Sequence, residues 1–159
     1  MKIPKILAVF LDGPIISPSE MSHHSAVYNP RSKGRRATSG AFCFLRQIVA
    51  NRCFNRVLLI GAKGKEPYDR RWVETSDILR LSGMKPADLR FYRVGTISAD
   101  LHRIGVTHAL LTREDIADKL PVVGTLYIMS TKQPSKTRRC HQAVHRVENG
   151  WAGIAKTLL

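Results

Sequence analysis

Three short apolar runs each end in a polar turn, and this arrangement leaves few folds open. Ile6-Leu7-Ala8-Val9-Phe10-Leu11 runs into Asp12-Gly13-Pro14. Val57-Leu58-Leu59-Ile60 runs into Gly61-Ala62-Lys63-Gly64-Lys65, and Thr107-His108-Ala109-Leu110-Leu111 into Thr112-Arg113. Runs that are apolar at every position, rather than at alternate ones, mark strands covered on both faces, as in a parallel sheet. When such strands carry their polar residues at the C-terminal end, a ligand site is expected along that edge.

The segments between the runs have a helical period. Phe42, Leu45, Ile48 and Val49 recur at helical spacing within 39–52, with Ser39 as the expected cap. A helix is predicted over Asp69–Leu81, with Trp72, Val73, Ile78 and Leu79 inward and Gly83 as its stop. Shorter helices are predicted from Ser98 to Ile104, ended by Gly105, and from Arg113 to Leu120, stopped at Pro121. Leu89–Val94 and Val122–Met129 complete the predicted strands. The last segment, from about Arg139 or Glu148 onward, reads as helical, with Trp151, Ile154 and Leu158 on one face.

Strands alternating with helices imply parallel pairing through right-handed crossovers. The expected architecture is an α/β, three-layer Rossmann-like domain with helices on both faces. Its mainly parallel sheet should have about five strands. Leu7–Leu11 should be central, and Asp12, Gly61 and Thr112 should meet at one edge. At 159 residues, of which 43% are hydrophobic, the chain suits one domain spanning 1–159. Within it lie a long polar loop at 16–38, a basic loop at 131–139 and the helical segment at 140–159.

No apolar run approaches the length of about 20 residues that a membrane span requires. Ile6–Leu11 is too short for a signal h-region and meets Asp12, so it reads as a strand. Cys43, Cys53 and Cys140 have no Cys-x-x-Cys spacing and are odd in number, so neither a disulfide framework nor a zinc site is expected. A reducing, cytoplasmic setting fits these features.

Charge is the unusual bulk property. Lys and Arg number 26 against 12 Asp and Glu, a net charge of +14. An excess of this kind attracts polyanions and speaks to partners rather than fold. Nucleic acid is the commonest such partner, a phosphorylated small molecule would need less charge, and burial of the basic loops within a larger protein complex is a third possibility. The cations expected to meet nucleic acid are Arg31, Lys33, Arg35 and Arg36, then Arg70 and Arg71, then Lys132, Lys136, Arg138 and Arg139. Nearby aromatic residues are few, so no stacking platform is expected. The sequence leaves the oligomeric state open.

In order and wording these segments resemble the haloacid dehalogenase superfamily of phosphohydrolases over about residues 5–129. The first motif of that superfamily is an apolar strand followed by two aspartates one residue apart. Here only Asp12 is present, matching either the nucleophile or the acid/base partner. The second motif places a phosphate-holding Ser or Thr where this chain has Gly61 or Ala62, with Lys63 and Lys65 just beyond. Glycine N–H groups and lysines can still hold a phosphate. The third motif is a Lys, and the matching region Thr96–Asp100 has none. In one branch the fourth motif ends Gly-Val-Thr-His-Phe-hydrophobic-Asp-Asp-Arg. This chain reads Gly105-Val106-Thr107-His108-Ala109-Leu110-Leu111-Thr112-Arg113, with Leu111 and Thr112 in place of the two acids.

The resemblance therefore implies the fold together with a loss of Mg²⁺-dependent hydrolysis, because Mg²⁺ needs octahedral oxygen ligation including one or two carboxylates. It implies a degenerate, non-catalytic member binding an anionic partner, with Gly61, Ala62, Lys63, Lys65 and Thr112 as anion contacts and no cofactor. The alternative is a phosphohydrolase with Asp12 as nucleophile and Mg²⁺ held by Asp12, Glu114 or Asp115. Glu114 and Asp115 also open a predicted helix, where acids complement the dipole without any metal. His23 and His24 read as a surface pair, His108 as a packed core histidine, and Cys43 as a small core residue.

Overall fold

The structure, a computed structural model, describes residues 3–17, 36–120, 123–129 and 142–159. Six strands form one sheet: β1 (Ile6–Phe10), β2 (Arg56–Ala62), β3 (Leu89–Tyr92), β4 (His108–Leu111), β5 (Thr125–Met129) and β6 (Ala143–Val147). Their order is β3-β2-β1-β4-β5-β6, and every pairing is parallel. The chain starts in the interior, runs outward to β3, then returns to the other side of β1. That reversal between β1 and β4 opens a crevice at the C-terminal ends of the strands.

The helices are α1 (Ala41–Ala50), α2 (Glu66–Ser76), α3 (Ile78–Leu81), α4 (Ile97–Ile104), α5 (Glu114–Ala117) and α6 (Gly150–Leu158). Strand pleating sends alternate residues of β1 to opposite sides. Leu7 and Val9 join Leu45 and Ile48 of α1, Ile78 of α3, and Trp151 and Ile154 of α6. Ala8 and Phe10 join Ile97 and Leu101 of α4 with Ile116 and Ala117 of α5. The domain is thus three layers, helix–sheet–helix, and β1 is buried on both faces. Fully burying each such leucine or isoleucine stabilises by about 1.5–3 kcal/mol.

The sheet has one strand more than expected, and the extra one lies in the predicted helical segment at 140–159. Ala143–Val147 pairs in parallel with β5, from Thr125↔Ala143 to Met129↔Val147. As an edge strand it is only half covered: Val144 and Val147 pack against the two cores, while Ala143 and His145 are exposed. Helix returns only at Gly150. The predicted Asp69–Leu81 helix is two pieces, broken where Asp77 turns left-handed at φ 60°. The cap of α1 is Gly40 (φ 87°) rather than Ser39, with no side-chain capping bond. Cys43 is exposed rather than in the core, because α1 buries Ala41, Leu45 and Ile48 and position 43 lies away from that stripe.

The ends of the predicted 16–38 loop are joined. Ile16 and Ala37 form an antiparallel bridge, and the Ser17 N–H donates to the Arg36 carbonyl at 2.9 Å. Among the described residues no helix is long and apolar enough to cross a membrane.

Candidate functional site

After β1 the chain makes a single tight turn that presents Asp12. The Leu11 carbonyl accepts from the Ile15 and Ile16 N–H groups at 3.2 and 2.7 Å, and the Gly13 N–H donates back to the Ile16 carbonyl at 2.9 Å. Gly13 sits at φ 106°, which disfavours any residue with a Cβ. Its missing side chain is also where Thr112 lies: an added Cβ would fall 2.6 Å from Thr112 Cγ2. Thr112 Oγ1 donates to the Asp12 backbone carbonyl at 3.4 Å. The Trp151 indole N–H of α6 donates to the Pro14 carbonyl at 2.5 Å, tying the turn to the last helix.

Beside this turn β2 ends at Gly61-Ala62, where the Phe91 ring of β3 lies against Gly61. A Cβ there would approach Phe91 Cδ1 to 2.7 Å, so glycine leaves the space that the ring occupies. The chain then passes through a single turn of 3₁₀ helix, Lys63–Lys65, and brings Lys65 Nζ to 2.9 Å from Asp12 Oδ2. The side chains of this pair are 29% and 28% exposed, so water screens their attraction only partly.

Asp12, Gly61 and Thr112 therefore meet at the C-terminal edge, as the strand pattern predicts. With the ends of β3 and α4, Asp12 and Gly61 border a cleft of about 540 Å³, its open mouth included, while Thr112 lies behind it against Gly13. Its lining combines the apolar Phe10, Ile60, Tyr92, Ile97, Leu111 and Ile116 with the charged Asp12, Lys65, Asp69 and Arg113.

The three carboxylates named as metal ligands are each engaged by a base. Asp12 holds Lys65. Asp115 receives Arg113 through two bonds, from Nε at 3.1 Å and from a terminal guanidinium nitrogen at 2.5 Å. This pairing holds the Asp115 carboxyl below its ordinary value and the Arg113 guanidinium above its own; nearby Asp12 adds to the latter. Glu114 meets Arg146 of β6 at 2.9 Å. Among the described residues no group of three or more His, Cys, Asp or Glu side chains is placed to hold a metal ion. Asp12, Glu114 and Asp115 are thus each turned to a different cation, and no two of them share a partner.

Two of the other described cations near this edge share one carboxylate. Lys63 lies 3.7 Å and Arg70 3.0 Å from Glu66, and Arg70 also sits 5.1 Å over the Phe91 ring. Arg71 and Arg36 are exposed. Arg31, Lys33, Arg35, Lys132, Lys136, Arg138 and Arg139 lie outside the described residues, as do His23, His24 and Cys140.

Asp69 is the site residue that sequence reading misses. It is 3% exposed and lines the cleft from α2. An acid in the first turn of a helix signals only dipole complementation, and nothing local marks it as buried. His108 is a packed histidine, as expected. Its Nδ1 lies 2.7 Å from Thr107 Oγ1, its ring meets Phe54 edge-on and stacks on Tyr127, and burial holds its pKa below 6.5 with help from the Lys5 charge.

No family model matches the chain, and no curated protein matches it.

Proposed function

We propose that the chain is a non-catalytic, haloacid dehalogenase-like protein that binds an anionic partner. The observation supporting loss of catalysis is the pairing of Asp12, Glu114 and Asp115 with Lys65, Arg146 and Arg113. Phosphoryl transfer needs one free nucleophile and a second group to manage the leaving group's proton. A carboxylate held by an ammonium at 2.9 Å is a weakened nucleophile, and the Leu111-Thr112 pair supplies no replacement acid. The net charge of +14 supports the anionic partner.

One observation favours a hydrolase instead: buried Asp69 lines the same cleft as Asp12 and would be its second carboxylate. Hydrolysis of an aryl phosphate with and without Mg²⁺ separates the two readings. The binding reading expects release no faster than buffer for wild type, Asp12→Asn and Asp69→Asn alike. Turnover lost in both variants would replace it with the hydrolase.

A further inference from the structure

We infer that the anionic partner is a nucleic acid and that its phosphate backbone docks across the N-terminal end of the sheet, opposite the edge that carries Asp12. This inference rests on the anionic-partner reading above and gives it a surface.

At the Asp12 edge, Lys65, Arg113, Lys63 and Arg70 each face a carboxylate. Among the described residues, three carboxylates, Asp12, Asp115 and Glu66, offset three of those four charges. The opposite end is different. A groove there is lined by Lys5, Arg52, Arg56 and Lys85, with Asp88 as its one acidic side chain among the described residues. Asp88 is committed to Arg56 Nε at 3.2 Å and to the Lys85 backbone N–H at 2.9 Å. Lys5, Arg52 and Lys85 are exposed, and no carboxylate pairs with their side chains among the described residues.

The fold gathers these four cations from three separate connections. The Lys5 N–H donates to Asn55 Oδ1 and the Asn55 N–H to the Lys5 carbonyl, each at 2.7 Å. That reciprocal pair fixes the approach to β1 against the α1–β2 connection. Arg52, near the start of that connection, is left-handed at φ 51°. Lys85 comes from the turn between α3 and β3.

A purely structural account would have Arg52 and Lys85 complementing the negative ends of α1 and α3. Each helix end is worth about half a charge. Two such ends together with Asp88 offset only about half of the four cations. The groove floor points to nucleic acid rather than protein. Phe54, Val57 and Met84 are 7–8% exposed, so the groove lacks the exposed aromatic or large apolar anchor on which protein interfaces depend. Lysines and arginines without base-reading neighbours hold phosphates and confer little sequence preference.

The test titrates the full chain with a labelled single-stranded oligonucleotide and its duplex at two salt concentrations. The groove is changed by Lys5→Glu, Arg52→Glu and Lys85→Glu together, with a parallel Lys→Gln and Arg→Gln set that carries less risk to folding. The Asp12 edge is changed by Lys63→Glu with Arg71→Glu. Thermal melts confirm that each variant folds. The groove variants should lose about tenfold or more in affinity, and in the neutral set the slope of log affinity against log salt should become less negative by about 2–3, from three phosphate contacts. The edge variant should change affinity less than about threefold. Wild-type binding that the groove changes leave intact, or that the edge changes weaken equally, overturns this inference and spares the anionic reading. Capture of polyglutamate in preference to either oligonucleotide assigns the groove to an acidic protein and also overturns it. Binding of neither polyanion at low salt overturns both.

Discussion

Replacing Gly13 with alanine probes how the turn at Asp12 is built. Two costs are expected, and they have separate origins. The first is backbone strain: at φ 106° an L-residue with a Cβ pays about 1–2 kcal/mol. The second is collision: the new Cβ lies 2.6 Å from Thr112 Cγ2, 2.8 Å from Thr112 Cβ, and closer still to Oγ1. Gly13 is buried and Thr112 is held between β4 and α5, so neither can swing freely away, and overpacking of this kind costs about 1–3 kcal/mol. Together they predict a loss of about 3 kcal/mol, or a melting point about 6–12 °C lower for a domain of this size. In a Thr112→Gly background the collision vanishes and the strain remains, so Gly13→Ala should then cost only about 1–2 kcal/mol. Urea unfolding of the four proteins in a double-mutant cycle measures the difference as a coupling energy. A Gly13→Ala loss below about 1 kcal/mol, or an equal loss in both backgrounds, would refute the reasoning.

Other outcomes follow from the same geometry. Trp151→Phe keeps the apolar contact but strands the Pro14 carbonyl, and should cost about 1–3 kcal/mol in denaturant melts. Leu45→Ala, from a fully buried position between α1 and the sheet, should cost about 2–5 kcal/mol in the same assay. The His108 ring binds its proton less readily folded than unfolded, so its contribution to stability is complete above pH 6.5 and drains away as pH falls from there toward the lowered folded value. Melts from pH 8 to pH 5 should therefore show a steeper acid-side decline for wild type than for His108→Gln; parallel curves would contradict this.

The sequence made the sheet's centre legible and its margin obscure, for a physical reason. Strands β1, β2 and β4 are covered on both faces, so burial wrote uninterrupted apolar runs that end at the site. Strand β6 is covered by one neighbour and partly exposed, and Ala143-Val144-His145-Arg146-Val147 carries a pattern that a helix could share. The meeting of Asp12, Gly61 and Thr112 follows from strand ends alone. Its electrostatics do not, because Lys65 reaches Asp12 across 53 positions and Arg146 reaches Glu114 from another strand. A charge count gives only the size of the excess, and only the folded chain shows which cations face carboxylates and which remain at the opposite end of the sheet.

The Trp151–Pro14 bond has a consequence for how the molecule is made. It joins positions 137 residues apart, so the turn after β1 leaves the ribosome long before the residue that completes it is made. At a synthesis rate of about 5–20 residues per second, the loop bearing Asp12 waits roughly seven to twenty-seven seconds for its clasp. Through that interval the nascent chain holds β1 without one of the helices that cover one of its faces. A polypeptide released before residue 151 would carry every cation and carboxylate of the edge site and lack the indole that holds their turn in place.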